Sequence, residues 1–268
     1  MNSAAGSLAG PAHHPAPSSP LLSMPAPLRL IVRADDAGSA RAANEAILET
    51  VRRGIVRNVS VMAVGPELAH AAELLRELPG VALGFHAAIN AEWSAPRWRP
   101  VLPPATVPSL VESDGAFTPA PIVLHERGFS LAELDAELRA QLARLHAHGL
   151  RPVYLDTHMG FDWLHGVPAV LDAIAADHGL VRDQPSTHPR LDCSPSALPE
   201  PIEEFCGAAA RVLITHPGAR GPEMHRFANE RSPLGKIEAE RDAERLALQS
   251  PPLLALVAQG RLVLETYA

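Results

Sequence analysis

From residue 28 onward the chain alternates short, almost wholly apolar runs with stretches of helical periodicity. Runs of that kind are strands buried on both faces, and such strands occur in parallel sheets whose crossovers are helices. The first run, 28–34, is followed by a helix over 40–53, in which Ala43, Ile47 and Val51 recur every four residues and Gly54 stops the turn. Further strands are expected over 56–64, 81–87, 152–157, 211–215 and 261–266. Helices are expected over 67–78, 130–148, 168–178 and 233–248. Ser130 with Glu133 reads as a capping box, Pro168 as a first-turn proline and Ser232 as the cap of the last helix. No G-x-G-x-x-G follows the first strand, which weighs against a dinucleotide-binding sheet. The expected fold class is α/β: an irregular, TIM-like (β/α) barrel rather than an open doubly wound sheet. A chain of 268 residues suits one such barrel.

The first 27 residues are rich in Pro, Ala, Ser and Gly without periodicity, and read as a disordered tail before a single catalytic domain over 28–268. They carry neither the basic start nor the apolar core of a secretory signal, and Met24 is an alternative start. No apolar run approaches a membrane span, so no membrane partner is expected. Basic residues number 23, are scattered, and are outnumbered to a net charge of −7, which argues against nucleic acid as a partner. Two cysteines, Cys193 and Cys206, form no CxxC and no disulfide framework, which suits a reducing, cytoplasmic setting. Lys236 is the sole lysine and lies in a polar helical pattern, so Schiff-base chemistry is set aside. A homo-oligomer stays open. The proline-dense stretch 90–128, with Trp93, Trp98 and Phe117, is too long for a plain connection and reads as a lid or binding loop.

Barrel enzymes place their chemistry at the C-terminal ends of strands. Asp35 and Asp36 end the first expected strand, His86 the third, Asp156 and His158 the fourth, and His216 the strand 211–215. Two histidines and a carboxylate can hold a divalent ion and leave positions for water, and a second carboxylate beside them can take a proton from that water. Each residue also has an ordinary reading. The Asp pair can cap the following helix, Asp156 can orient a ligand from behind or cap a turn, and His216-Pro217-Gly218 can be a turn. Co-occurrence at four strand ends favours the site. His70, His146 and His178 face outward on helices and are left as surface residues.

These motifs resemble those of the YdjC-like carbohydrate deacetylases, a family that includes chitooligosaccharide and hopanoid-associated deacetylases. Arg33-Ala34-Asp35-Asp36-Ala37-Gly38 with Asn44-Glu45-Ala46-Ile47 downstream is similar to the family's N-A-D-D-F-G and N-E-A-I. Gly84-Phe85-His86 resembles its G-L-H, Asp156-Thr157-His158 its D-S-H, and Thr215-His216-Pro217-Gly218 its late H-P-G. Arg182-Asp183-Gln184-Pro185 resembles a pocket-lining segment, and 241–246 an R-x-x-E-x-L helix. The resemblance implies an irregular, polysaccharide-deacetylase-type barrel that removes acetyl groups from N-acetylated sugars with one divalent metal ion. Carried over, Asp36, His86 and His158 would be the metal ligands, Asp35 the base, His216 a general acid or oxyanion contact, Asp156 a support behind the ligands, and Arg182 part of the sugar site.

The chain departs from the pattern in places. His158-Met159-Gly160 stands where many relatives continue with histidines, Ala87-Ala88-Ile89-Asn90 replaces L-x-L-T, and Ala37 replaces an aromatic residue. Substrate preference therefore does not carry over. Trp93 and Trp98 can supply a stacking surface for sugar rings or merely anchor their loop. The ion, zinc or magnesium, is left open by two imidazoles and one carboxylate. Two rivals remain: a metal hydrolase acting on another amide, an ester or a phosphoester, and a sugar-binding homologue that has lost catalysis.

Overall fold

The computed structural model describes residues 1, 26–198 and 209–267. The tail expected over 1–27 lies almost wholly outside the described residues, as does Cys206. Chain order is β1 (Leu28–Ala37), α1 (Arg41–Arg53), β2 (Asn58–Val61), α2 (Leu68–Leu75), β3 (Ala82–Ala87), α3 (Pro121–Arg127), α4 (Leu131–Ala147) and β4 (Tyr154–Thr157). There follow α5 (Val167–His178), β5 (Val181–Arg182), β6 (Arg211–Thr215), α6 (Pro222–His225), α7 (Lys236–Ala247), α8 (Pro251–Ala258) and β7 (Leu262–Leu264).

All strand pairs are parallel, in the order β5-β4-β3-β2-β1-β6. β7 pairs with the first residues of β1, Leu28 to Leu30, while β2 takes Arg33 to Ala37. Helices cover the sheet, and residues such as Val32, Ile47, Phe85 and Leu138, all 0% exposed, form the core between them. The alternation in the sequence is thus the alternation in the fold. The sheet curls but does not close as a continuous barrel. Past β5, one parallel bridge from Arg190 to Val212 joins it to β6 among the described residues. β5 is only two residues long, and Pro185 and Pro189, which have no N–H to donate, stand where a longer ladder would run. No helix among the described residues is long and apolar enough to cross a membrane.

Local departures from expectation have local causes. α7 begins at Lys236 with Gly235 as its N-cap, because Ser232 is held in a turn by Asn229 instead of capping a helix. Ser130 does cap α4, accepting from the Glu133 amide, but Glu133 turns its own carboxylate to Ser109 and completes no box. Along the same face of α4, Glu137 accepts from the Val101 and Leu102 amides and Gln141 brackets Ala88. Residues 133, 137 and 141 are one helical turn apart, so a single row of side chains holds the backbone of Ala88 and, within the long stretch 90–128, the amides of Val101, Leu102 and Ser109. That stretch is itself ordered by two short 3-10 turns and by α3. β5, α3, α6 and α8 had no counterpart in the expected elements.

Candidate metal and active site

Neighbouring residues on a regular strand point to opposite faces. Asp35 and Asp36 nevertheless both line one cavity, because β1 breaks its register with β2 between Ala34 and Ala37 and Asp36 adopts φ 66°. Aspartate is among the few L-residues that tolerate the left-handed region. The Asn44 carboxamide, 0% exposed, steadies this turn by accepting from the Gly38 amide.

Asp36 Oδ2 accepts from Arg241 at 2.6 Å, leaving Oδ1 buried without a hydrogen-bond partner. Around that orphan oxygen stand His158 Nδ1 at 3.2 Å and His86 Nε2 at 3.4 Å, themselves 3.3 Å apart. Three ligands each about 2.1 Å from one ion would stand about 3.0–3.4 Å apart in octahedral or tetrahedral arrangement. The triangle has the right size for a single cation.

The outer nitrogens of both rings are held by carboxylates. His86 Nδ1 meets Asp156 Oδ2 at 2.8 Å, and His158 Nε2 meets Glu92 Oε2 at 2.9 Å. Such partners keep the proton on the outer nitrogen and turn the inner lone pair toward the shared centre. Burial alone would lower the His86 imidazole, but Asp156 and Asp35 outweigh it and raise its pKa to about 9. Burial opposes the charge of His158 too, yet Glu92 and Asp36 hold it well above its ordinary value. Burial would raise Asp36, but Arg241 and the two histidines bring it well below the usual carboxylate range. This is a buried, negatively biased pocket that can hold a metal ion.

Asp35 is set apart from that triangle. Both its oxygens are taken by Arg33, at 2.6 and 2.8 Å. Arg33 also contacts Asp183 and lies 3.1 Å from Asp156. Burial pushes the Asp35 carboxyl up, and Arg33, then His86 and His216, bring it below its ordinary value. Asp35 is therefore ionised at neutral pH. A second triad of possible ligands, Asp35, His86 and Asp156, has both Asp35 oxygens committed to Arg33 and His86 Nδ1 committed to Asp156 Oδ2, which leaves only Asp156 Oδ1 without a partner. The first triad is the better cation site. His216, half-buried at the end of β6, has its backbone amide donated to Glu244 at 2.6 Å and lines the same cavity as Asp35 and Asp36.

Of the residues expected from the sequence, the structure brings together Asp35, Asp36, His86, Asp156, His158 and His216. Trp93 reaches the cavity wall. Trp98 does not: it is 2% exposed, packs 6.1 Å from the Phe227 ring and lines no described cavity, so it anchors the loop. Arg182 stands behind the cavity, where it pairs with Asp162 and Asp172. Glu92, Arg33, Asp183 and Arg241 were not singled out for these contacts. Arg33 and Arg241 lay inside recognised motifs but carried no signal of their partners, and Glu92 sits in a loop with no periodicity to place it.

The solved structures include one with the same architecture: a protein of Enterococcus faecalis V583 labelled a candidate cellobiose-phosphate cleavage protein. It superposes with a TM-score of 0.77 at 22% identity, over 90% of this chain and 98% of that one, which shows a shared fold. Among curated proteins, a carbohydrate deacetylase of Geobacillus stearothermophilus is 35% identical over 137 residues, 49% of each chain. A carbohydrate deacetylase of Halalkalibacterium halodurans is 28% identical over 155 residues, 57% of this chain and 62% of that one. A chitooligosaccharide deacetylase of Enterobacter sp. strain 638 is 32% identical over 148 residues, 54% of each. The chain thus spans about half the length of the curated relatives it matches. The profile of the family described as YdjC-like protein matches residues 29–207, which takes in Asp35, Asp36, His86, Asp156 and His158. With that match over more than half its length, the chain belongs to the YdjC-like protein family.

Proposed function

We propose that this protein is a metal-dependent carbohydrate deacetylase, hydrolysing the N-acetyl group of an acetylated amino sugar or oligosaccharide. The observation that carries the reading is the orphan Oδ1 of Asp36 facing two imidazole nitrogens, beside an ionised Asp35 in the same cavity. The names of the curated relatives support the substrate class. Asp36, His86 and His158 would hold the ion. Two nitrogens and one oxygen suit zinc, and an open hydrated position also admits magnesium. When bound, a divalent ion there supplies Lewis acidity, lowering the pKa of water and offsetting charge that develops on the acetyl carbonyl oxygen.

The remaining work falls to side chains. Asp35 takes the proton of the attacking water, and its link to Arg33 keeps the carboxylate ionised and fixed in angle. His216, across the cavity, gives a proton to the departing amine nitrogen. Asp156 and Glu92 hold the two imidazoles so that neither must reorganise during turnover. Acetate release from a panel of N-acetylated sugars, with and without chelator and with zinc or magnesium restored, tests the reading. Release from N-acetylglucosamine oligomers that stops on chelation supports it. Hydrolysis confined to esters or phosphoesters, or sugar binding without turnover, would replace it.

A further inference from the structure

Glu92 holds His158, but no regular element holds Glu92. It lies between β3 and the first 3-10 turn, in a stretch with no helix or strand of its own. A backbone of that kind keeps one position only where other segments take up its polar groups. Among the described residues, three bonds do so over 91–94. The Ala91 amide donates to the Thr118 carbonyl at 2.7 Å, and the Ser94 amide to the Ala228 carbonyl at 2.8 Å. The Glu92 carbonyl itself accepts from Asn229 Nδ2 at 3.1 Å. Two of these three partners belong to the segment between β6 and α7, beyond residue 207, where the family profile ends.

The turn around Asn229 prepares it for this contact. Its backbone bonds to that of Ser232 in both directions, at 2.9 and 3.1 Å. Its Oδ1 accepts from the Arg231 and Ser232 amides at 3.0 and 2.9 Å. With the carboxamide oxygen committed to the turn, the nitrogen is the end that reaches across to Glu92.

The same two segments also meet through buried rings. Trp93 and Trp98 pack on Phe227 at 5.7 and 6.1 Å between centroids, and none of the three is more than 8% exposed. That apolar contact joins the segments whether or not Asn229 bonds to Glu92. What the bond adds is the orientation of one peptide. The Glu92 carboxylate, 2.9 Å from His158 Nε2, depends on that orientation directly. A displacement of roughly 0.7 Å would take it out of hydrogen-bond range.

We propose that Asn229 is a positioning residue of the metal centre. By holding the Glu92 carbonyl it places the carboxylate that keeps His158 turned toward Asp36 and His86. The inference rests on the reading of that triangle as a metal site, and not on which substrate is hydrolysed.

Zinc titration of chelator-stripped protein against a chromophoric competitor tests it, with near-UV circular dichroism to verify folding. The proteins are wild type, Asn229→Ser, Asn229→Asp, Glu92→Ala and the double variant Asn229→Ser/Glu92→Ala. Both replacements of Asn229 keep an oxygen for the turn and lose the donated N–H, and the serine adds no charge. Each should weaken zinc about fivefold, the effect of one neutral hydrogen bond. Glu92→Ala should weaken it about 10–100-fold. The double variant should bind like Glu92→Ala alone, because a residue that acts through Glu92 then has nothing to act on. If one replacement of Asn229 does not fold, the other carries the comparison. Failure of both to fold would overturn the proposal, since the bond would then support the fold and not one peptide. Folded Asn229 variants that bind zinc within twofold of wild type would overturn it, as would losses that multiply in the double variant. Wild type that takes up neither zinc nor magnesium would instead refute the metal-site reading, and the positioning role with it.

Discussion

Asp156 never faces the shared centre of the metal triangle, yet the geometry makes metal affinity depend on it. Its Oδ2 lies 2.8 Å from His86 Nδ1 and 3.1 Å from Arg33 Nη2. Asp156→Asn keeps an acceptor of the same shape and removes the charge. A charge-assisted hydrogen bond contributes about 1.5–3 kcal/mol and a neutral one about 1 kcal/mol, so roughly 1 kcal/mol is lost. That corresponds to about a fivefold fall in affinity. Asp156→Ala removes the acceptor, frees the ring to change tautomer and should cost 10–100-fold, the usual effect of losing such a partner. Arg33 keeps Asp35 and Asp183 in either variant, so the fold should survive. Chelator-stripped protein titrated with zinc against a chromophoric competitor at neutral pH measures both variants, with near-UV circular dichroism to verify folding. Folded variants that both bind zinc within twofold of wild type would show that His86 needs no outer partner, and the reasoning about its tautomer would be wrong.

Other expectations follow from the same contacts. Asp35→Asn should lower deacetylation by about 10²–10⁴-fold with metal retained, since it removes the proton acceptor and no ligand; near-normal kcat would exclude Asp35 as the base. His158→Ala should reduce metal content measured by atomic emission, and full occupancy would remove it from the ligand set. In metal-free protein the raised His86 contributes stability that is complete below about pH 6.5 and lost as pH rises through about 9, so Tm should fall across that window. The lowered Asp35 and Asp36 give the opposite limb: their contribution is present above about pH 4 and lost as pH falls further. A Tm flat from pH 6.5 to 9 would contradict the first limb. Gly84→Ala should destabilise by about 1–3 kcal/mol, read in urea melts, because a Cβ there would run into the Tyr154 ring.

The polar residues at strand ends were readable in the sequence because parallel strands carry distant positions to one rim, and the apolar runs before Asp35, His86, Asp156 and His216 marked those strands. What could not be read were contacts made across the rim. Arg33 looked like an interruption in a buried run, and only the curled sheet shows its charge divided among three aspartates. Arg241 lies 205 positions from the Asp36 it pairs with. Trp93 and Trp98 are equivalent by composition, but only one reaches the cavity. Barrel closure was equally invisible, since it turns on a two-residue strand with prolines in the segment that follows it.

The break in β1 has a consequence for how this site tolerates change. Because a backbone irregularity, not side-chain length, sets where Asp35 stands relative to Asp36, no substitution at either position can restore the spacing once the irregularity is lost. Were β1 to keep regular register with β2 through these positions, the two carboxylates would point to opposite sides of the sheet, one into the cavity and one into the core. Ion and base would then be divorced while the composition of the site hardly changed. The fragility of this centre therefore lies in spacing: it should absorb many replacements around its edge and almost no insertion or deletion at its first strand.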